Sequence, residues 1–498
     1  MKQKVILGID AGTSSIKVSI FSLEGKPLGR KHSPVDIIIP TCGRAEVDVN
    51  FYFTTMISHI KELLKEDDYV VCGIGLATTC PTVVCLDENF NSIGNGILYL
   101  DNRSHTQLER YMSYFKDDID YFSTIGNRCS HSTCSASTMK WIKEHEPERW
   151  SQTKYIGMLN SFLAGKLTGK SAIDITQASY SGVFKLSQPE DWDSELLDLM
   201  GVPREKLLPI AQPFSSMGTI LPEIAKETGI PEGTKVAIGS ADTAAAAFAI
   251  NFTNTNHAFE SAGTSGVLTF VTDEPIFQEA FMNRCHIFPD TWLAHGATSM
   301  MGGSIDWLLG KVFTEYPNYD SIDQVLLTTT AGANGTIFLP YLSGERSPIW
   351  DPHAKGVWYG LTVQSDKHDL IRSVYEASAY AMHQIKELRE LPTHNAIKQI
   401  FAVGNGTKSK LWSQLKSDVL QAEYHTTLFP DAAALGAALL GGIAAGVYSS
   451  VHDPNIPFLK MDGDYYYPTK DKDVIQAYEH SFNTYKSLYP VLKNVMHS

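Results

Sequence analysis

The feature that most constrains this chain is a strand–turn–strand unit that it spells twice. Val5-Ile6-Leu7-Gly8-Ile9-Asp10 reads as a buried strand and Ala11-Gly12-Thr13-Ser14 as a tight turn. Ile16, Val18 and Ile20 then alternate with Lys17 and Ser19, the period of a second strand. Near the start of the second half, Ala258-Phe259-Glu260-Ser261 runs into Ala262-Gly263-Thr264-Ser265 and on into Gly266-Val267-Leu268-Thr269-Phe270. The same four-residue turn in the same strand context implies a duplicated unit rather than a chance match. Length agrees, because 498 residues exceed one ordinary core. The polar run Asn251 to Asn256 marks the junction, dividing the chain into residues 1–250 and 251–498.

Between and beyond the hairpins, helical and strand patterns alternate, giving a mixed α/β architecture. Helices are expected over Phe51 to Lys65, over Ser137 to Glu146 with Ser137 as its cap, and over Lys367 to Arg389. Strands are expected over Val70 to Leu76, Thr82 to Leu86, Lys235 to Ile238, Thr336 to Pro340 and Ile400 to Val403. Ala432 to Tyr448 is apolar but short for a membrane span and dominated by small residues, so it reads as a buried helix that lets other backbone come close. The net charge of −14, without a basic stretch, argues against nucleic-acid or anionic-membrane partners. It leaves room for an anionic nucleotide, whose site needs only local donors and a metal. Seven cysteines without a CxxC pair read as reduced thiols rather than a disulfide frame or a zinc site. No signal-peptide pattern opens the chain, so a soluble cytoplasmic protein is expected.

Four segments carry candidate chemistry. In Asp10-Ala11-Gly12-Thr13-Ser14-Ser15-Ile16-Lys17 the glycine lets backbone N–H groups approach phosphate oxygens, and the hydroxyls add donors. A carboxylate ending the strand suits Mg²⁺, and Lys17 supplies positive charge if it faces the turn. The alternative is an ordinary hairpin whose Asp accepts turn N–H groups. Gly263-Thr264-Ser265 would grip a phosphate chain from the other side. Gly404-Asn405-Gly406-Thr407-Lys408-Ser409 follows a strand and precedes a helix, a common seat for nucleotide groups, but no Walker A or protein-kinase glycine loop is present. Asp242, entering an alanine run after Gly239-Ser240, is either a helix cap or a general base.

With these motifs in place, the chain resembles the FGGY carbohydrate kinases, members of the actin-like, ribonuclease-H-like ATPase superfamily. The resemblance rests on Gly356, Trp358, Gly360-Leu361, Asp369-Leu370, Ser373 and Val374-Tyr375-Glu376, which follow the family's C-terminal signature. It rests also on Phe338-Leu339-Pro340-Tyr341-Leu342-Ser343-Gly344-Glu345-Arg346-Ser347-Pro348 and, more loosely, on Ser137 to Glu146, and it extends over residues 4 to 450. It implies two actin-like α/β domains with an interdomain cleft, the first for sugar and phosphate and the second for nucleotide. It implies Asp242 as catalytic base, Asp10 as the Mg²⁺-linked carboxylate, and Gly12, Thr13, Ser14, Lys17, Gly263 and Thr264 around the phosphates of ATP. Gly302, Gly404, Asn405 and Ser409 fall at nucleotide positions, with Asn405 departing from the family's usual glycine. A homodimer is common in such a family.

The sugar is less legible. The substrate wall is expected to include Thr79, Cys80, Pro81, Asp101 and Arg103, with Asp101 and Arg103 open to an alternative reading as a structural salt bridge. Thr79-Cys80-Pro81 carries neither the Gln-Met-His of xylulokinases, the Met-His of gluconokinases, nor the Arg-Glu of glycerol kinases; its Thr/Ser/Cys character looks ribulokinase-like. Asp101-Asn102-Arg103-Ser104 and Ser347-Pro348-Ile349-Trp350-Asp351 look gluconokinase-like, whereas the helix Lys140 to Glu148 and Glu345-Arg346 look xylulokinase-like. A pentulose such as xylulose or ribulose is the first reading, gluconate the second and another polyol or ketose the third. A catalytically silent sugar or nucleotide sensor is the alternative of another class, disfavoured because a sensor needs no base; an actin- or chaperone-type ATPase would not need the sugar-kinase signature.

Overall fold

The computed structural model describes residues 2–66, 68–276, 278, 280–392, 395–429 and 431–497. The duplication is visible in strand order. In the first sheet, Gln3–Ala11 pairs antiparallel with Ser15–Ser22, which pairs antiparallel with Pro27–Pro34. On its other side Gln3–Ala11 runs parallel to Tyr69–Thr78, which runs parallel to Lys235–Ala237. In the second sheet, His257–Ala262 pairs antiparallel with Gly266–Thr272 and that strand with Trp292–Ala297. Gln399–Val403 and Glu423–Thr426 then follow in parallel on the other side. Two five-strand modules of one topology therefore stand in the two halves.

Each sheet has its own core. Val5, Leu7, Ile9, Val18, Ile74 and Leu76 belong to one buried cluster, and Leu268, Phe270, Ile371, Tyr375, Ile400 and Trp412 to another. A third cluster draws on both halves, joining Ile6, Phe21 and Phe248 to Phe259, Val271 and Leu435.

The apolar run after residue 431 forms a helix, Ala432–Ala445, that lies on the first sheet although it is encoded late in the chain. A Cβ at Gly8 would sit 1.9 Å from the Ala434 carbonyl oxygen, and one at Gly75 would sit 1.8 Å from that of Ala437. Backbone-to-backbone packing is the reason for the small residues, as the sequence suggested. It also refines the division at residue 250, because this segment of the second half covers the sheet of the first. No helix among the described residues is long and apolar enough to cross a membrane.

Element boundaries shift at the ends. The first long helix spans Val49–Leu63 and begins earlier than expected because Asp48 caps it, accepting from the N–H groups of Asn50 and Phe51. The helix expected from Ser137 runs Ser135–His145, and Ser137 is not its cap. The Ser137 hydroxyl instead donates to the Cys134 carbonyl at 2.8 Å and lies 2.9 Å from the Ser104 hydroxyl.

Candidate active site

The two Gly-Thr turns face each other across a cleft of about 490 Å³, whose lining includes Asp10, Gly12, Thr13, Ser14, Lys17, Asp242, Gly263, Thr264 and Gly404. In the first turn Gly12 N–H closes onto the Ser15 carbonyl at 3.0 Å, and Tyr52 donates its hydroxyl to the Gly12 carbonyl at 2.8 Å. Asp10 and Lys17 are cross-strand partners, so antiparallel pairing puts both on one face. Lys17 Nζ stands 2.9 Å from Asp10 Oδ2 and 3.6 Å from Asp431 Oδ1. Burial alone would depress the Lys17 ammonium, but the Asp10 and Asp431 carboxylates outweigh it and hold the pKa above the ordinary lysine value.

Asp242 is the first residue of the helix Asp242–Ala249, with Ala241 in the cap position. The cap reading therefore fails on geometry: the carboxylate takes only the N–H of its neighbour Thr243, at 2.6 Å. Enclosure within the protein pushes the Asp242 carboxyl up to about 6, the Asp10 charge adds to this, and the Arg284 guanidinium and the Thr243 N–H pull the other way.

A second cavity of about 420 Å³ opens from Gly263 and Thr264 and is lined further by Gly302, Asn405, Ser409 and Trp412. Gly302 N–H donates to the Gly263 carbonyl at 3.2 Å, which docks the helix Gly302–Trp307 on the second turn. Gly404 adopts φ +105°, and a Cβ there would meet the Ala262 carbonyl oxygen at 2.4 Å, so only glycine passes the chain this close to the turn. Ser409 caps the following helix Lys410–Leu420 by accepting from Trp412 N–H at 3.1 Å.

The expected sugar wall divides. Thr79 is buried at the base of the first turn, its hydroxyl 2.7 Å from that of Thr13. Cys80, joined to Pro81 by a cis peptide, packs beside Tyr180, Met282 and Ala297, and burial pushes its thiol up to about 12. Asp101 and Arg103 do not form a substrate surface. Their side chains are 1% and 2% exposed, and Arg103 Nε and Nη2 each reach Asp101 at 2.8 Å while Nη2 also bonds Glu46. Asp101 Oδ2 further accepts the Ala45 N–H at 2.7 Å. This closed network is the structural salt bridge.

Several lining residues were missed by sequence reasoning. Asp431 enters the cleft just before an alanine run, the same local grammar as Asp242, which is the signal that would have found it. Asp306, Tyr319, Asp320 and Asp323 line the nucleotide-sized cavity, and no motif marks them. Arg284 reaches the residue after Asp242, donating from Nη1 to the Thr243 hydroxyl at 2.7 Å.

Two Gly-Thr turns and a buried carboxylate lining one cleft, on two modules of one topology, suit a phosphate-handling enzyme, and comparison with known proteins gives the class. Residues 5–249 match the N-terminal domain, and residues 258–445 the C-terminal domain, of the FGGY family of carbohydrate kinases. The chain belongs to that family and is an ATP-dependent sugar kinase. It is 26% identical to a xylulose kinase of Staphylococcus epidermidis, over 99% of this chain and 98% of that one. It is also 26% identical to a gluconokinase of Bacillus subtilis, over 98% and 95%. The structure of a ligand-bound xylulose kinase from Lactobacillus acidophilus superposes with a TM-score of 0.90 at 24% identity, covering 98% of both chains.

Proposed function

We propose that this kinase phosphorylates a pentulose such as xylulose or ribulose, with Asp242 accepting the proton of the sugar hydroxyl as its oxygen attacks the γ-phosphorus of ATP. The observation that carries the reading is that Asp242 and both Gly-Thr turns line one cleft. A carboxyl pushed up to about 6 remains ionised at neutral pH and is a stronger base than an ordinary aspartate. The phosphate chain would run between the N–H groups of the two turns, with its nucleoside in the cavity of Gly302, Asn405 and Ser409. Residues 1–250 would then bind sugar and phosphate and residues 251–498 the nucleotide.

The oxygen donors of the cleft suit a hard cation, since Asp10 and Asp431 face it alongside the phosphate-sized turns. Asp10 would hold Mg²⁺, which supplies neutralisation of phosphate charge. Lys17 holds the Asp10 carboxylate in place, and closure of the two halves would exclude water from the transfer.

Xylulose kinases among the relatives favour the pentulose, and a gluconokinase at equal identity keeps gluconate as the second reading. ADP release measured across ketoses, polyols and sugar acids tests both. Asp242→Asn is expected to lower turnover by roughly 10²–10⁴-fold while the KM for ATP holds. Full activity in that variant, or ADP release indifferent to sugar, would overturn the reading.

A further inference from the structure

Behind Thr243, a lining residue of the cleft, lies one buried cation with unspent hydrogen-bonding capacity. Arg284 lies on Met282–Cys285, a strand of the second half, yet reaches across to the first. Its residue is 3% exposed, its guanidinium stacks 4.2 Å over the Tyr180 ring, and Nη1 donates to Thr243 beside the candidate base. Among the described residues no carboxylate stands within ion-pair distance of it, and Nε is buried with no partner. A guanidinium removed from water is costly unless its donors are met.

Two further buried atoms of the same region are unmet. Gln177 donates its amide to the Thr78 hydroxyl at 2.9 Å while its Oε1 has no partner. Trp350 packs against the cluster of Tyr180, Met282 and Ala297 that also holds Cys80, and its indole N–H is likewise unpaired. Arg284 Nε and the Trp350 indole N–H are thus unmet donors against the Tyr180 cluster. Gln177 Oε1, tied to the Thr78–Cys80 segment by its amide's bond to Thr78, is an unmet acceptor. Hydroxyl and carbonyl oxygens of a small polar ligand match such a set.

We propose that Arg284 is a specificity-determining residue that holds an accepting oxygen of the sugar through Nε. This rests on the kinase reading above and deepens it. The oxygen is the carbonyl of a ketose or the carboxylate of a sugar acid, which share the chemistry of accepting from a guanidinium. The assignment accounts for a buried cation beside the base that serves no ion pair. It also gives Thr243 a part: its hydroxyl fixes the guanidinium so that Nε is aimed rather than free.

The test is steady-state kinetics of the full chain with ATP and Mg²⁺, using xylulose, ribulose and gluconate as separate arms. A charged hydrogen bond of this kind predicts an acceptor KM raised about 10- to 100-fold in Arg284→Met, with the KM for ATP unchanged. Arg284→Lys, which keeps the charge and loses Nε, should recover part of the loss on gluconate and little on a ketose. An unchanged acceptor KM in both variants overturns the assignment. If both variants melt, acceptors each lacking one oxygen are assayed on the wild-type protein. One position should then cost 10- to 100-fold, and a flat series overturns the proposal. A wild-type protein that binds ATP but turns over no acceptor overturns the kinase reading instead. The placement of Arg284 is then decided by acceptor-induced melting shifts, which must be present in wild type and lost in Arg284→Met.

Discussion

The two Gly-Thr turns are built on one plan and differ in charge. Asp10 faces Lys17 across the first hairpin, and the matching position in the second is Ser261, facing Val267. The first turn is also longer by one residue, since it bridges Ala11 to Ile16 where the second bridges Ala262 to Gly266. Their supports differ as well. The first strand is glycine where the late helix presses on it, whereas the second places Phe259 in the shared cluster and anchors Glu260 in a buried ion pair with Lys416, joined by Tyr424 at 2.7 Å. The two hairpins thus share a backbone plan, while only the first carries charged partners at the position next to its turn. The second turn docks Gly302 and borders the cavity of Asn405 and Ser409.

The comparison can be broken in order of expected effect. Lys416→Met leaves Glu260 charged and uncompensated at zero exposure, and should cost about 3–5 kcal/mol in denaturant unfolding. Adding Glu260→Gln should recover much of that loss, and no equivalent change in the first strand should do so. Asp10→Asn should lower kcat on the order of 10²–10³-fold, while Ser261→Ala at the matching position changes it by less than about tenfold. Equal losses would mean that the two turns share the charge-handling work after all. Gly8→Ala drives a methyl into the Ala434 carbonyl and should destabilise by roughly 1–3 kcal/mol, read as a lower denaturation midpoint.

The smallest effects concern the titration of Asp242. With Asp242 as the proposed base, sugar-dependent kcat/KM should fall as pH drops through about 6, where its carboxyl gains a proton. Its carboxyl binds that proton more readily in the folded chain than in the unfolded one, where the ordinary value is 3.8. The ionised form is therefore the one folding penalises, and this group's contribution to stability rises as pH falls from about 6 toward 3.8. Asp242→Asn removes the penalty at neutral pH and should raise the melting temperature by roughly 2 °C.

Local signals carried far in this sequence and tertiary ones did not. Alternating Ile16, Val18 and Ile20 after Ala-Gly-Thr-Ser sufficed to read the hairpins, and the alanine-rich run declared its close packing. Asp10 and the turn residues stood out because a strand end or a glycine names its own geometry. Asp242 read locally as a cap or a base, and only the family resemblance favoured the base. Arg103 misled because its partner Glu46 lies far back in the chain, so nothing nearby announces the network that satisfies it. Arg284 was missed for a similar reason: its strand supplies no motif, and its meaning comes from Thr243 and Tyr180 in the other half.

The late helix has a consequence for synthesis. The faces of Gly8, Gly73 and Gly75 meet their covering backbone at Ala434, Ala437, Ala438 and Gly441. At the ribosome's usual pace of about 5–20 residues per second, that cover arrives roughly twenty seconds to over a minute after the last of those strands. Until then the first sheet is a nascent, half-dressed surface. A fragment ending near residue 250 would remain in that state, because the chain finishes its beginning only when it reaches its end.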